Sequence, residues 1–225
     1  MLNIQNLQLA FGKNKVLKGI DLSLEANAIH GIIGLNGSGK TTMLNCLYGN
    51  LKPQSGTMLW QNSPIQSQQI GFLETHHFFY PRMTGYEYLR FFQVAQQDFD
   101  LEGWNSVFQL PLKKFVTSYS TGMKKKLAIM GIMSLNRPIV ILDEPFNGLD
   151  LETNEVIKRI VQLLKKRGKT VLITSHILET LTSICDEIHY LNQGMIANSF
   201  EPNTYHELSA VFANLEFEQL DTLVR

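Results

Sequence analysis

The sequence predicts an α/β fold, with a mainly parallel sheet at its centre, an antiparallel β layer at its N-terminus and an inserted α-helical segment. Three observations point there. In the second half of the chain, apolar runs of strand length alternate with helix-period patterns, which builds a parallel sheet covered on both faces. Before about residue 25 the apolar residues instead alternate in short segments, as antiparallel strands do. Between about 80 and 135 the period changes to that of helices.

Each element follows in order. LNIQNLQLAF and VLKGIDLSL are the two alternating segments, and Gly12 and Asn14 mark the turn between them. AIHGII is a continuous apolar run that stops at Gly34 and gives way to glycine-rich residues and the helical pattern TTMLNCLYG. Ser55 to Trp60, after Pro53 and Gln54, and Ile70 to Leu73 read as further strands, grouped over about 55–73 with the N-terminal β layer. Thr84 followed by Glu87 has the spacing of a capping box, opening a helix that carries Tyr88, Leu89, Phe91 and Phe92. PIVILD, the amphipathic LETNEVIKRIVQLLKKRG with Gly168 as its stop, TVLITSH, a short helix and EIHYLNQG complete the alternation. Neither an internal repeat nor a low-complexity linker is visible, so one folding unit is expected.

Composition sets the bounds. A chain of 225 residues, 44% hydrophobic and 18% charged, has the make-up of a globular protein with a sizeable core. Lys plus Arg equals Asp plus Glu at 20 each, so no overall positive field gathers nucleic acid, and none is expected as a partner. Cys46 and Cys185 lie in no metal-binding or disulfide pattern and read as reduced thiols. The start lacks a targeting pattern, and no apolar stretch approaches the ~18 residues that would span a bilayer. A cytoplasmic location is expected, with any membrane role reached through a partner.

GLNGSGKT at 34–41 fills the phosphate-loop pattern between a strand and a helix. Gly34, Gly37 and Gly39 let the backbone turn its N–H groups toward a polyphosphate at the positive end of the next helix. Lys40 would reach the β and γ phosphates, and Thr41 offers Mg²⁺ a hard hydroxyl oxygen. IVILDE at 139–144 is a buried strand that delivers two acids at its carboxyl end, where ligands of such sheets collect. Asp143 would hold Mg²⁺ through water, and Glu144 would orient and deprotonate an attacking water.

These motifs, joined in order by YSTGMKKKLAI at 119–129, resemble the ABC ATPase family from about Leu2 to Ala197. Ser120 and Gly122 match the family signature, whereas Tyr119, Thr121 and Met123 depart from its usual Leu, Gly and Gln. NGLD at 147–150 is similar to the D-loop, and His176 to the switch histidine, which would steady the attacking water's geometry. The resemblance implies a P-loop NTPase core at about 31–54 and 136–200, β subdomain strands at 1–30 and 55–73, a helical subdomain at 80–135 and a short extension at 201–225. It implies ATP and Mg²⁺ as cofactors, with Asn36, Gly37, Ser38, Gly39, Lys40, Thr41 and Thr42 holding the phosphates. Phe11 corresponds to the aromatic position that stacks on adenine; a core phenylalanine is its plainer reading.

In that family the signature of one subunit touches the γ-phosphate bound by the other. Ser120 and Gly122 would therefore act in trans, in a homodimer or a heterodimer with a related chain. A transmembrane permease subunit is the implied partner, with the ATPase peripheral on the inner face of the membrane. Glu74 stands where most members carry a Mg²⁺-touching glutamine; this variant, YPRMTGYEYL and the signature resemble bacterial exporters more than importers. Phe78, Phe79, Tyr80, Phe91 and Phe92 fall where members form a groove for a helix of the membrane subunit, or they are partly core. Lys124 to Lys126 read as a solvated face. Two rivals are a soluble ABC ATPase acting on nucleic acid or ribosomes, whose coiled-coil arms or paired ATPase units are not seen here, and a regulator that binds ATP without turnover, against which Glu144 argues.

Overall fold

The computed structural model describes residues 1–93, 99–208 and 210–211. In chain order the elements are β1 (Leu2–Phe11), β2 (Asn14–Leu24), β3 (Ile29–Ile33), α1 (Lys40–Tyr48), β4 (Ser55–Trp60), β5 (Ser63–Pro64), β6 (Ile70–Leu73) and α2 (Gly85–Gln93). There follow α3 (Leu101–Phe108), α4 (Thr121–Ser134), β7 (Ile139–Asp143), α5 (Leu151–Lys166), β8 (Thr170–Ser175), α6 (Leu178–Thr182), β9 (Glu187–Asn192) and β10 (Met195–Phe200).

Two sheets form. One is antiparallel with order β2-β1-β4-β5, and the other has order β10-β9-β3-β8-β7-β6, parallel except where β10 folds back on β9. The strand at Ile70–Leu73 corrects the sequence assignment: it pairs in parallel with β7 at the edge of the second sheet, outside the antiparallel layer. All four of its residues are buried, the mark of a strand covered on both faces, and the short run carried no alternation that could have revealed its sheet.

The larger sheet separates two cores, because successive strand residues point to opposite faces. Ile139, Ile141, Leu172 and Ile32 join the antiparallel layer and Met43, Leu44 and Leu47 of α1. Val140, Leu142, Val171 and Ile173 face Leu127 of α4, Ile157 and Val161 of α5, and Leu181 of α6. Leu89, Leu101, Phe108 and Val116 extend this second core into the helical insert. Side chains set the starts of α2 and α5. The carboxylate of Glu87 accepts from the Thr84 N–H at 2.8 Å, completing the capping box, and Asp150 accepts from the Thr153 N–H at 2.7 Å to open α5. Beyond the resemblance, Tyr205 and Leu208 are buried in the second core, where the Tyr205 hydroxyl donates to the Cys185 carbonyl. Residues 212–225 of the expected extension lie outside the described residues.

One glycine ties the layers together. Gly194, in the β9–β10 turn, accepts from the Lys18 N–H at 2.9 Å and donates its own N–H to the Ser38 carbonyl at 3.0 Å. Its φ is +84°, and a Cβ there would lie 2.2 Å from the Val16 carbonyl oxygen. Gly194→Ala combines left-handed strain with a backbone clash, so it should lower unfolding free energy by about 2 kcal/mol or more. Urea denaturation checks this, and a change within error of zero would show that the turn can shift freely.

Candidate functional site

The carboxyl ends of β3, β7 and β8 lie side by side, and each delivers part of one cluster. After β3 the chain turns through Gly37 and Gly39, with φ of +81° and +111°, values an L side chain resists. Gly34 is pressed against the β9 end: a Cβ would meet the Leu191 carbonyl at 2.3 Å and the Ser38 hydroxyl at 2.7 Å. Helix α1 then begins at Lys40 behind an N-cap glycine that has no side chain with which to satisfy the first N–H groups. The Ser38 hydroxyl is buried without a hydrogen-bond partner. An uncapped helix start, an unpartnered hydroxyl and a buried ammonium together suit a phosphate anion.

Lys40 Nζ donates to the carbonyls of Gly34 at 2.7 Å and Leu35 at 3.3 Å. Burial pushes its pKa below the ordinary lysine value, while the charges of Glu144 and Asp143 pull it back up. The next residue, Thr41, donates its hydroxyl to Asp143 Oδ2 at 2.9 Å. Two groups that sequence reasoning missed complete this carboxylate's shell. Thr75 donates to Oδ2 at 2.7 Å, and Thr174 donates to Oδ1. Neither threonine carried a local signal; the register of β7 against β8, and the path of the chain after β6, bring them in.

Glu144 sits just past β7 with φ +50°, a left-handed conformation that costs a non-glycine residue about 1 kcal/mol or more. Four bonds hold it. Its N–H donates to Thr174 Oγ1 at 2.9 Å, its carbonyl accepts from Lys125 Nζ at 2.8 Å and from the Asn147 N–H at 3.4 Å, and its Oε2 lies 3.0 Å from His176 Nδ1. The carboxylate is largely buried, whereas His176 is about half exposed. An acid held at such a position, with an imidazole beside it, can accept a proton from water while the ring supports the resulting charge arrangement.

Lys125 overturns the solvated-face reading of residues 124–126. It is 4% exposed, and its ammonium bridges the carbonyls of Glu144 and Asn147, each at 2.8 Å. Lys124 and Lys126 are partly buried beside it. A charge run at a helix start predicts exposure only where no carbonyl cage faces the helix; here the turn after β7 supplies one. Burial lowers the Lys125 pKa, and Glu144 and Asp143 oppose that. His77 lies close enough to feel this ammonium: burial chiefly, then Lys125, pushes its pKa down to about 4.

The remaining candidates are more dispersed. Asn36 and Gly37 are exposed on the loop, Gly39 is buried and Thr42 is half-buried. Glu74 does not join Thr41 at Asp143; its Oε1 accepts from Asn50 at 3.0 Å. Ser120 caps α4, accepting from the Met123 N–H at 3.2 Å, and Gly122 faces Gly148 and Leu149 of the NGLD segment. Phe11 ends β1 with 54% of its surface exposed, which removes the core reading. The aromatic cluster divides: Phe79 and Phe92 pack on Tyr88 against the core, whereas Phe78, Tyr80 and Phe91 are exposed.

Known proteins resemble this chain in sequence and fold. The ABC transporter family profile matches residues 17–147. The ABC transporter ATP-binding protein YtrB of Bacillus subtilis (strain 168) is 30% identical over 207 residues, covering 88% of this chain and 71% of that protein. The lantibiotic transport ATP-binding protein SrtF of Streptococcus pyogenes is 29% identical over 226 residues, covering 95% and 96%. A solved ATP-binding subunit of an ABC transporter superposes with a TM-score of 0.84 at 25% identity, over 89% of this chain and 90% of that one.

Lys125→Met keeps most of the aliphatic stem and removes both hydrogen bonds to the Glu144–Asn147 turn. ATP hydrolysis should slow about tenfold or more with the far-UV circular dichroism unchanged, since a loosened carboxylate is worth at least that factor. A wild-type rate would show that the tether is dispensable.

Proposed function

Because this chain belongs to the ABC transporter family and is an ATP-binding, ATP-hydrolysing subunit of its kind, we propose that it drives export by a membrane permease from ATP sites shared between two such subunits. The observation that carries the reading is the convergence of Lys40, Thr41, Asp143, Glu144 and His176 at adjoining strand ends. Residues 34–42 would wrap the phosphates, with Lys40 exchanging the Gly34 and Leu35 carbonyls for phosphate oxygens, and the exposed ring of Phe11 would lie against adenine. Thr41, Asp143 and Glu74 would hold Mg²⁺. When bound, that ion supplies charge neutralisation at the phosphates.

Glu144 would take the proton of the attacking water while His176 holds both in line, and the left-handed turn at Glu144 keeps the carboxylate where that water enters. Ser120 and Gly122, at the start of α4, would complete the γ-phosphate site of a second copy or of a related chain. A Cβ added at Gly122 would lie 3.5 Å from Leu149 and 3.7 Å from the Gly148 carbonyl, so the signature and the D-loop-like segment are neighbours within one chain. The exposed Phe78, Tyr80 and Phe91 would receive the permease. The similarity to SrtF, a lantibiotic transport ATP-binding protein, supports a transport role. Among the described residues no helix is long and apolar enough to cross a membrane, which suits a subunit that works through a separate permease.

Three experiments test this reading. Glu144→Gln should lose turnover by about 100-fold or more while still binding ATP. Ser120→Ala and Lys40→Ala chains, each inactive alone, should recover part of the activity when mixed, because one intact shared site forms in the mixed pair. Equal rates for wild type and Glu144→Gln, or no recovery on mixing, would sink the respective half of the mechanism. The third concerns Glu74, which adds a negative charge where the family carries an amide. Glu74→Gln should weaken the apparent Mg²⁺ affinity in hydrolysis, shifting the titration midpoint to higher Mg²⁺ with maximal rate retained. An unchanged titration would exclude Glu74 from the ion's surroundings.

A further inference from the structure

Away from the phosphate loop, at the opposite end of the same strand, β3 and β9 bring two histidines and a glutamate together. His30 is opposite Glu187 in the parallel register, and His189, two residues on, shares Glu187's face. His30 Nδ1, His189 Nε2 and Glu187 Oε2 form a nearly equilateral triangle. The edges are 3.5 Å between the two nitrogens, 3.5 Å from His30 to the carboxylate and 3.6 Å from His189 to it.

The outer atoms of both rings are already engaged. His30 Nε2 lies 3.0 Å from the Glu25 carbonyl, which can only accept, so the proton of a neutral ring sits there and Nδ1 presents a lone pair to the triangle. His189 Nδ1 lies 2.7 Å from the Ser199 hydroxyl, which can accept its proton and leave Nε2 bare as well. Both rings are 1% exposed, and burial disfavours the imidazolium form that would otherwise relieve the crowding. In that tautomer three lone pairs face one another, an arrangement that a cation between them relieves; in the other tautomer the His189 Nε2–H points at His30 Nδ1 instead.

We propose that His30, His189 and Glu187 form a binding site for a divalent transition-metal ion, best suited to Zn²⁺, that clips β3 to β9. Ligands at about 2.0–2.1 Å in a tetrahedron are about 3.4 Å apart, close to all three edges. Two imidazoles and one carboxylate are a zinc-compatible set, and the bonds to Glu25 and Ser199 are the outer contacts that fix ligating rings. Glu187 is 28% exposed, so the ion has a path from solvent and water can take the fourth position. The site uses no residue of the ATP machinery, and its failure would leave that reading untouched.

The test is titration of nucleotide-free protein with Co²⁺ and Zn²⁺ in excess Mg²⁺, which keeps hard-ligand sites occupied. The expected result is one Co²⁺ per chain with the strong visible bands of a four-coordinate ion, displaced by Zn²⁺, and a thermal midpoint raised by Zn²⁺. Glu187→Gln, at a partly exposed position, should fold, keep its Mg²⁺-dependent ATP hydrolysis and bind Zn²⁺ at least tenfold more weakly. His189→Gln should abolish the visible bands; should it fail to fold, Glu187→Gln alone decides. Absence of the bands in wild type, or undiminished Zn²⁺ affinity in Glu187→Gln, would overturn the assignment.

Discussion

The carboxylate of Asp143 is the point on which the molecule's geometry turns. Three hydroxyls donate to it, from Thr41 at the start of α1, Thr75 after β6 and Thr174 in β8, so one side chain on β7 gathers the ends of four elements. Asp143 is 1% exposed, and a buried carboxylate needs such donors in place of the water it has lost. The requirement runs both ways. The charge needs the hydroxyls, and the phosphate loop, the segment after β6 and β8 are held in register because they must supply them.

A second constraint lies in close backbone approach. Gly34 abuts Leu191, and Gly194 abuts Val16, at distances no Cβ could share. The first presses the phosphate loop onto β9, and the second presses the β9–β10 turn onto β2. The loop is thus braced from β9 and, through the β9–β10 turn, from the antiparallel layer as well as by its own helix. Its glycines serve packing as much as conformation: Gly34 has no left-handed φ, and what excludes a side chain there is the neighbouring strand.

What could be read from the sequence follows from how local each signal is. The phosphate loop, the acidic strand and the Thr84–Glu87 cap are contiguous patterns whose chemistry is set by neighbours in the chain, and the geometry at each has the form those patterns imply. Thr75 and Thr174 carry no such pattern, because their partner is a strand 31 or more residues away in sequence. Lys125 was misread for the same reason: its carbonyl cage is 19 and 22 residues distant. Ile70–Leu73 was legible as a strand but not as a member of either sheet, since a short buried run does not encode its partner.

Asp143 and Glu144 are adjacent in sequence, yet their surroundings separate them. Asp143 has both oxygens engaged by fixed hydroxyls, which leaves it suited to a static role beside the phosphate loop. Glu144 is bound mainly through its backbone, by Thr174 and Lys125, while its carboxylate meets one partially exposed imidazole. Holding the main chain leaves the Glu144 carboxylate with His176 as its one hydrogen-bond partner among the described residues. In the proposed mechanism the left-handed φ at Glu144 therefore has a direct use: it turns this second acid out of the threonine shell that immobilises the first. Three backbone bonds, with Thr174, Lys125 and Asn147, hold the strained turn, so the neighbouring carboxylates meet different surroundings on either side of it.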